Sequence, residues 1–144
     1  MITRSQYFGL KPCPPEHKAN ADKLLEQVNA LLHEAAEAGV YDYWIDPDTN
    51  SQISGSKSGA GDGGYRLPDS KTGVAGSSHR IARGIDIYDP ENKLDGWVTR
   101  SILIKYNLYR EHPDSTIGWL HLTDRAPGSG CRTFIPVSVN KIKT

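Results

Sequence analysis

Three residues carry the chemistry that this sequence offers most plainly. His79 and Asp86 stand seven positions apart in Ser77-Ser78-His79-Arg80-Ile81-Ala82-Arg83-Gly84-Ile85-Asp86-Ile87. Asp86 sits between two isoleucines in an alternating run, so on a strand its carboxylate points to the face opposite theirs. A carboxylate in such a place needs a cation, a cluster of donors or a metal ion. A second histidine, His121, lies far downstream in Trp119-Leu120-His121-Leu122-Thr123. Two imidazoles and one carboxylate are a usual ligand set for catalytic zinc, with a fourth position left for water. The spacing differs from His-Glu-x-x-His, where one helix supplies both histidines. Here His79 enters from a loop, Asp86 from the adjoining strand and His121 from another strand, which requires a preformed fold. Other readings stand beside this one. The chain has five histidines, a lone histidine is often a surface or capping residue, and Arg83 or Arg66 could neutralise Asp86.

The elements that must position these residues follow from periodicity and turn signals. Residues 1–18 read as irregular, with Lys11-Pro12-Cys13-Pro14-Pro15 a stiff approach. Leu24, Leu25, Val28, Leu31, Leu32 and Ala35 form one stripe of an amphipathic helix, with Asn20 as N-cap and Gly39 just past its end. Tyr41–Ile45 reads as a short strand ended by Asp46-Pro47-Asp48. Residues 46–64 are a long Gly/Ser/Asp/Asn-rich loop framing a site. Their glycines are no phosphate cradle, because no Gly-Lys-Ser/Thr follows to open a helix. A strand is predicted over 82–88, a turn over 89–92 and a second helix from Asp95 to Leu108, closed by Glu111-His112-Pro113-Asp114. Thr116 to Thr123 is a strand on which Trp119, His121 and Thr123 share a face. After a turn at 126–130, Arg132 to Val139 is a last strand. The fold class is α+β: a small, mostly antiparallel sheet, flanking helices and long loops, in one domain spanning residues 1–144.

Composition narrows the function classes. Seventeen basic and seventeen acidic side chains leave a formal charge of zero, which argues against a nucleic-acid footprint or an anionic-membrane surface. No run approaches 18 apolar residues, so no membrane span is expected. The N-terminus lacks the apolar run of a secretory signal, so synthesis in the cytoplasm is expected. Cys13 and Cys131 are too few for a disulfide framework and read as ordinary thiols. Nothing fixes an oligomeric state; a monomer is the simplest expectation.

The order of motifs resembles a known family. Ser77-x-His79 followed by Asp86, preceded by Gly64-Tyr65-Arg66 and followed by Trp119-x-His121, resembles the M15 zinc peptidases. These are D-Ala-D-Ala carboxypeptidases and dipeptidases and phage L-alanoyl-D-glutamate endopeptidases. The resemblance covers about residues 63–123. The family pattern is Ser-x-His-x-x-Gly-x-Ala-x-Asp; here Ala82 and Gly84 exchange the two small residues. The N-terminal helix and the tail Arg132-Thr133-Phe134-Ile135-Pro136 also resemble small phage-encoded M15-like proteins.

The resemblance implies a Hedgehog/DD-peptidase-like zinc fold with His79, Asp86 and His121 as the Zn2+ ligands. It implies a metallopeptidase whose substrate is a peptidoglycan stem peptide, acting on the cell wall after release from the cell or as part of a virion. Arg66 matches the family's Gly-Tyr-Arg arginine. It would hold a substrate carboxylate or the oxyanion, or else make a structural ion pair with Asp62, Asp69 or Asp86. One position departs. A catalytic Glu or Asp commonly stands three residues before the last histidine, and here that residue is Gly118. A zinc hydrolase usually needs a carboxylate to move the water's proton. The nearest acids are Glu111, favoured for its longer reach, and Asp114. Trp119, on the His121 face, would wall the pocket or pack in the core. Gly118 keeps a second class open: a non-catalytic phage structural or cell-wall-binding module that retains the fold. A third is a cytoplasmic zinc hydrolase with a non-peptide substrate.

Overall fold

In the computed structural model, the described residues are 1–55, 63–66 and 78–134. Helix α1 (Arg4–Phe8) is set by a capping box: Thr3 Oγ1 accepts from the Gln6 amide, and Gln6 Oε1 accepts from the Thr3 amide. This corrects the expectation of an irregular N-terminal stretch. Helix α2 (Pro15–Glu37) begins earlier than expected. Pro15 at its first position has φ preset and needs no amide partner, so a side-chain cap is dispensable there. Asn20 is therefore inside the helix and not its cap, and its Nδ2 donates to the Ile81 carbonyl at 2.9 Å. At the other end Gly39 takes φ +76, with Val40 N bonded to Ala35 O and Gly39 N to Ala36 O, a Schellman closure.

Residues 41–45 are not a strand. Tyr43 has φ +50, which breaks the extended path, and the Tyr41 ring instead packs against Tyr43 (tilted) and Trp44 (edge-on). From the long loop, Gln52 and Ser54 flank the outer edge of strand β1 (Gly84–Tyr88): Tyr88 N donates to Gln52 O, and Ser54 N donates to Asp86 O. A 3-10 turn, Ser78–Ile81, leads into β1. The predicted second helix is two short ones, α3 (Lys93–Trp97) and α4 (Arg100–Lys105). Val98 and Thr99 are extended between them, and Thr99 caps α4. Asp89 accepts from the Leu94 and Asp95 amides at the start of α3.

Strand β2 (Tyr109–Glu111) stands where the sequence suggested a helix end, and a 3-10 turn, Pro113–Ser115, follows. Strand β3 is Trp119–Thr123, shorter than expected because Thr116 to Gly118 form a turn. Strand β4 is Thr133–Phe134; the expected continuation to Val139 lies outside the described residues. The described sheet has the order β1-β3-β2-β4, antiparallel at β1·β3 and β2·β3 and parallel at β2·β4. The architecture is α+β with a four-stranded mixed sheet.

One face of this sheet belongs to the core. Ile85, Ile87, Leu120 and Leu122 are fully buried in one apolar cluster with Leu24, Leu25, Val28, Leu31 and Leu32 of α2. Each such side chain contributes roughly 1.5–3 kcal/mol by leaving water. Arg110 is also on this face, and its charge is met by an ion pair with Asp95. The opposite face carries Gly84, Asp86, Tyr88, Trp119, His121, Thr123, Tyr109 and Glu111. Alternation thus separates packing from chemistry on the same three strands. Among the described residues no helix is long and apolar enough to cross a membrane, and both cysteines are free thiols.

Candidate metal centre

Asp86 and His121 are cross-strand partners at the centre of the β1·β3 ladder. His79 reaches them from the 3-10 turn, which folds back because Ala82 takes φ +60 and Arg83 N bonds to Ser78 O. Gly84 permits the close approach: a Cβ there would lie 2.8 Å from Ser78 Cβ. The exchange of small residues is thus readable. The glycine is where a neighbouring backbone presses, and the alanine accepts the left-handed turn.

The three side chains converge. His121 Nδ1 lies 2.7 Å from Asp86 Oδ1, His79 Nε2 lies 3.3 Å from the same oxygen, and the two ring nitrogens are 3.2 Å apart. All three residues are buried. Donors held about 2.0–2.1 Å from a tetrahedral ion stand about 3.3 Å from one another, so this triangle is near the size zinc demands. This buried group could hold a metal ion. The same atoms also bond among themselves without an ion: His121 Nδ1 donates to Asp86 Oδ1, and a protonated His121 offsets the carboxylate's charge.

The surrounding shell fixes the rings. The Gly64 carbonyl lies 2.7 Å from His79 Nδ1; a carbonyl can only accept, so Nδ1 carries the proton and Nε2 presents its lone pair to the cluster. Gly64 is held in turn by helix α1. Tyr65 N donates to Tyr7 O, Tyr7 Oη donates to Gly84 O, and a Cβ on Gly64 would lie 2.4 Å from Tyr7 O. Arg66 is buried with Nη2 3.7 Å from Asp86 Oδ2, and its backbone amide bonds to His79 O. Of the acids proposed as its ion-pair partners, Asp86 is in place; Asp62 and Asp69 lie outside the described residues.

Burial and charge set the protonation of the cluster. Burial alone would raise the Asp86 carboxyl, but the two imidazoles outweigh it and hold it below the ordinary value. Burial lowers His79, with Asp86 compensating only in part. Burial also opposes charge on His121, yet the hydrogen bond and charge of Asp86 prevail and raise it.

The fourth group is Glu111. Strand β2 pairs Tyr109 with Thr123 and Arg110 with Leu122, so the next step of the ladder sets Glu111 opposite His121. Alternation puts its side chain on the cluster's face. Burial, first, raises its carboxyl, and the charges of His121, Asp86 and Arg66 all act on it. Asp114 is elsewhere: its side chain is exposed beside His112. Gly118 has φ +92 in the turn before β3, its amide bonded to Asn92 Oδ1. Trp119 is half-buried one row from the cluster, opposite Tyr88.

The remaining histidines serve other ends. His17 bonds to the Tyr65 hydroxyl, His33 is exposed beside Glu37, and His112 caps the 3-10 turn. The sequence reading missed the Gly64 carbonyl, which no side chain announces. It also missed strand β2, whose Tyr109-Arg110-Glu111 alternation was too short to signal itself. No family model, curated protein or solved structure matches the chain.

Proposed function

We propose that this chain is a zinc-dependent peptidase of the Hedgehog/DD-peptidase-like fold, acting on peptidoglycan stem peptides. The observation that carries this reading is the buried His79–Asp86–His121 triangle with Glu111 beside it on the same face of the sheet. The motif order shared with M15 peptidases supplies the substrate class.

His79 Nε2, Asp86 Oδ1 and His121 Nδ1 would hold the ion. When bound, zinc supplies a Lewis acid for the scissile carbonyl and acidifies water. Gly64 O keeps the His79 ring in the ligating tautomer, and Arg66 steadies Asp86 and places positive charge where an oxyanion develops. Glu111 takes the proton from the attacking water and returns it to the leaving amine, so no net proton is gained or lost. Its burial keeps its basicity above that of a solvated carboxylate, which suits it to both steps. In a cell-wall setting the protein would act after release from the cell or as part of a virion.

A second reading, a zinc-holding wall-binding module without turnover, draws on Gly118, which can do no proton chemistry. Metal analysis and a hydrolysis assay separate the two. Purified protein should hold about one zinc per chain, and His121→Ala should lose it. Muropeptide cleavage should stop with a chelator and return with zinc. Full occupancy in His121→Ala overturns the metal assignment, and zinc without cleavage of any muropeptide selects the module.

A further inference from the structure

We infer that Phe134 is a specificity-determining residue of this site, its ring walling the Glu111 side of the cluster and receiving an aliphatic side chain of the peptide beside the scissile bond. This rests on the peptidase reading above.

Phe134 is the register partner of Glu111 in the parallel β2·β4 pair. Asp86, His121, Glu111 and Phe134 therefore form one row across four strands. Neighbouring strands lie about 4.8 Å apart, so the backbones of β3 and β4 are separated by about 10 Å. The rings of Phe134 and His121 are nevertheless 6.2 Å apart between centroids, inclined at 85°. The Phe134 side chain thus leans inward toward the cluster. Hydrogen bonds on both flanks hold the strand that carries it: Arg110 N to Arg132 O, and His112 N to Phe134 O, each 2.8 Å.

This ring does not serve the core, which lies on the other face of the sheet and does not include it. It is half-buried, so part of its apolar surface remains open beside charged and polar groups. A few polar groups walled by an aromatic surface is the make-up of a small-molecule or peptide pocket. Phe134 shares a row with Glu111, and an apolar ring beside that carboxylate disfavours a second carboxylate there. The side chain it fits is small and aliphatic, such as the methyl group of an alanine.

Equilibrium binding tests this without relying on turnover. In a Glu111→Gln background, zinc-loaded protein is titrated calorimetrically with the stem pentapeptide L-Ala-γ-D-Glu-L-Lys-D-Ala-D-Ala. A second titration uses its analogue with glycine at each alanine. The background should prefer the alanine peptide, and adding Phe134→Ala should cut that preference about fourfold, the worth of one buried methyl. Phe134→Leu should keep part of it, and zinc content should stay unchanged in both. An unaltered preference in Phe134→Ala, or loss of zinc there, overturns the assignment and leaves the peptidase reading standing. Binding of neither peptide by the background protein overturns both.

Discussion

Asp86 and His121 face each other across the β1·β3 ladder with carboxylate and imidazole 2.7 Å apart, both buried, on the face of the sheet that the core does not use. The same carboxylate receives His79 and is flanked by Arg66, so it is the point on which the cluster's charges meet. Asp86→Asn keeps the shape and removes the charge. Zinc affinity should fall by at least about 100-fold, more than loss of an outer-shell partner usually costs. The metal-free protein should also lose roughly 3 kcal/mol, since removing the charge of one member of a buried ion pair is costly. Metal titration and urea unfolding of the same variant measure the two effects.

The sequence favours Glu111 over Asp114 only by its longer reach, and strand β2 separates the two by carrying Glu111 to the cluster's face. Glu111→Gln should retain zinc and lower kcat by about 10²- to 10⁴-fold, the usual worth of a positioned proton-transfer group. Asp114→Asn should leave both unchanged, because its side chain is 92% exposed. Near-normal turnover in Glu111→Gln would remove the proton-transfer role.

The sequence displayed the cluster residues and the packing helix because each has a strong local signature. Asp86 stands out between two isoleucines, and the α2 stripe runs over 12 residues from Leu24 to Ala35, each of the six buried as expected. What the sequence hid is held by pairing and by backbone. Strand β2 has three residues and makes sense only beside β3, so Glu111's place depends on a contact at long range. Gly64 acts through its carbonyl, and Tyr7 of helix α1 packs against its backbone. The break between α3 and α4 was hidden for the opposite reason: Val98 and Thr99 lie in a stretch apolar enough to imitate one continuous helix.

In the metal-free protein the joint contribution of His79 and His121 to stability should peak near pH 6.5. His121 has its value raised from 6.5, so its contribution is complete below that pH and is lost as pH rises through the folded value. His79 has its value lowered from 6.5, so below that pH the unfolded chain takes a proton that the folded chain refuses, and stability falls. Asp86, lowered from 3.8, adds a further loss as pH drops below about 4. Zinc should abolish the alkaline loss, because it takes the deprotonated rings. Urea midpoints from pH 3 to pH 9 (roughly the range these groups span), with zinc and with chelator, give the comparison. A chelated protein no less stable at the alkaline end would contradict the His121 assignment.

Gly64→Ala should damage the centre from outside it. The new Cβ would meet Tyr7 O at 2.4 Å, a backbone atom fixed by helix α1, so the carbonyl that orients His79 must move. Zinc affinity should drop about 10- to 100-fold, as for other partners that orient a ligating histidine. Gly96→Ala meets nothing within 4 Å in α3 and is the matched control, with zinc affinity unchanged. Equal affinities in the two variants would show that the Gly64 contact does not tune the metal.

Gly118 tests whether the position of the acid along the chain matters or only its place in space. Its φ of +92 disfavours any side chain, so Gly118→Glu should cost about 1–2 kcal/mol. A Cβ there meets nothing within 4 Å, so the fold should tolerate it despite the strain. The residue belongs to the turn that precedes β3, tied to Asn92 and Asp89 rather than to the row that holds Asp86, His121 and Glu111. Placed in the Glu111→Gln background, Gly118→Glu should therefore leave turnover at the level of Glu111→Gln alone. Recovery of turnover in the double variant would show that the turn, and not strand β2, is where this site accepts its proton-transfer group.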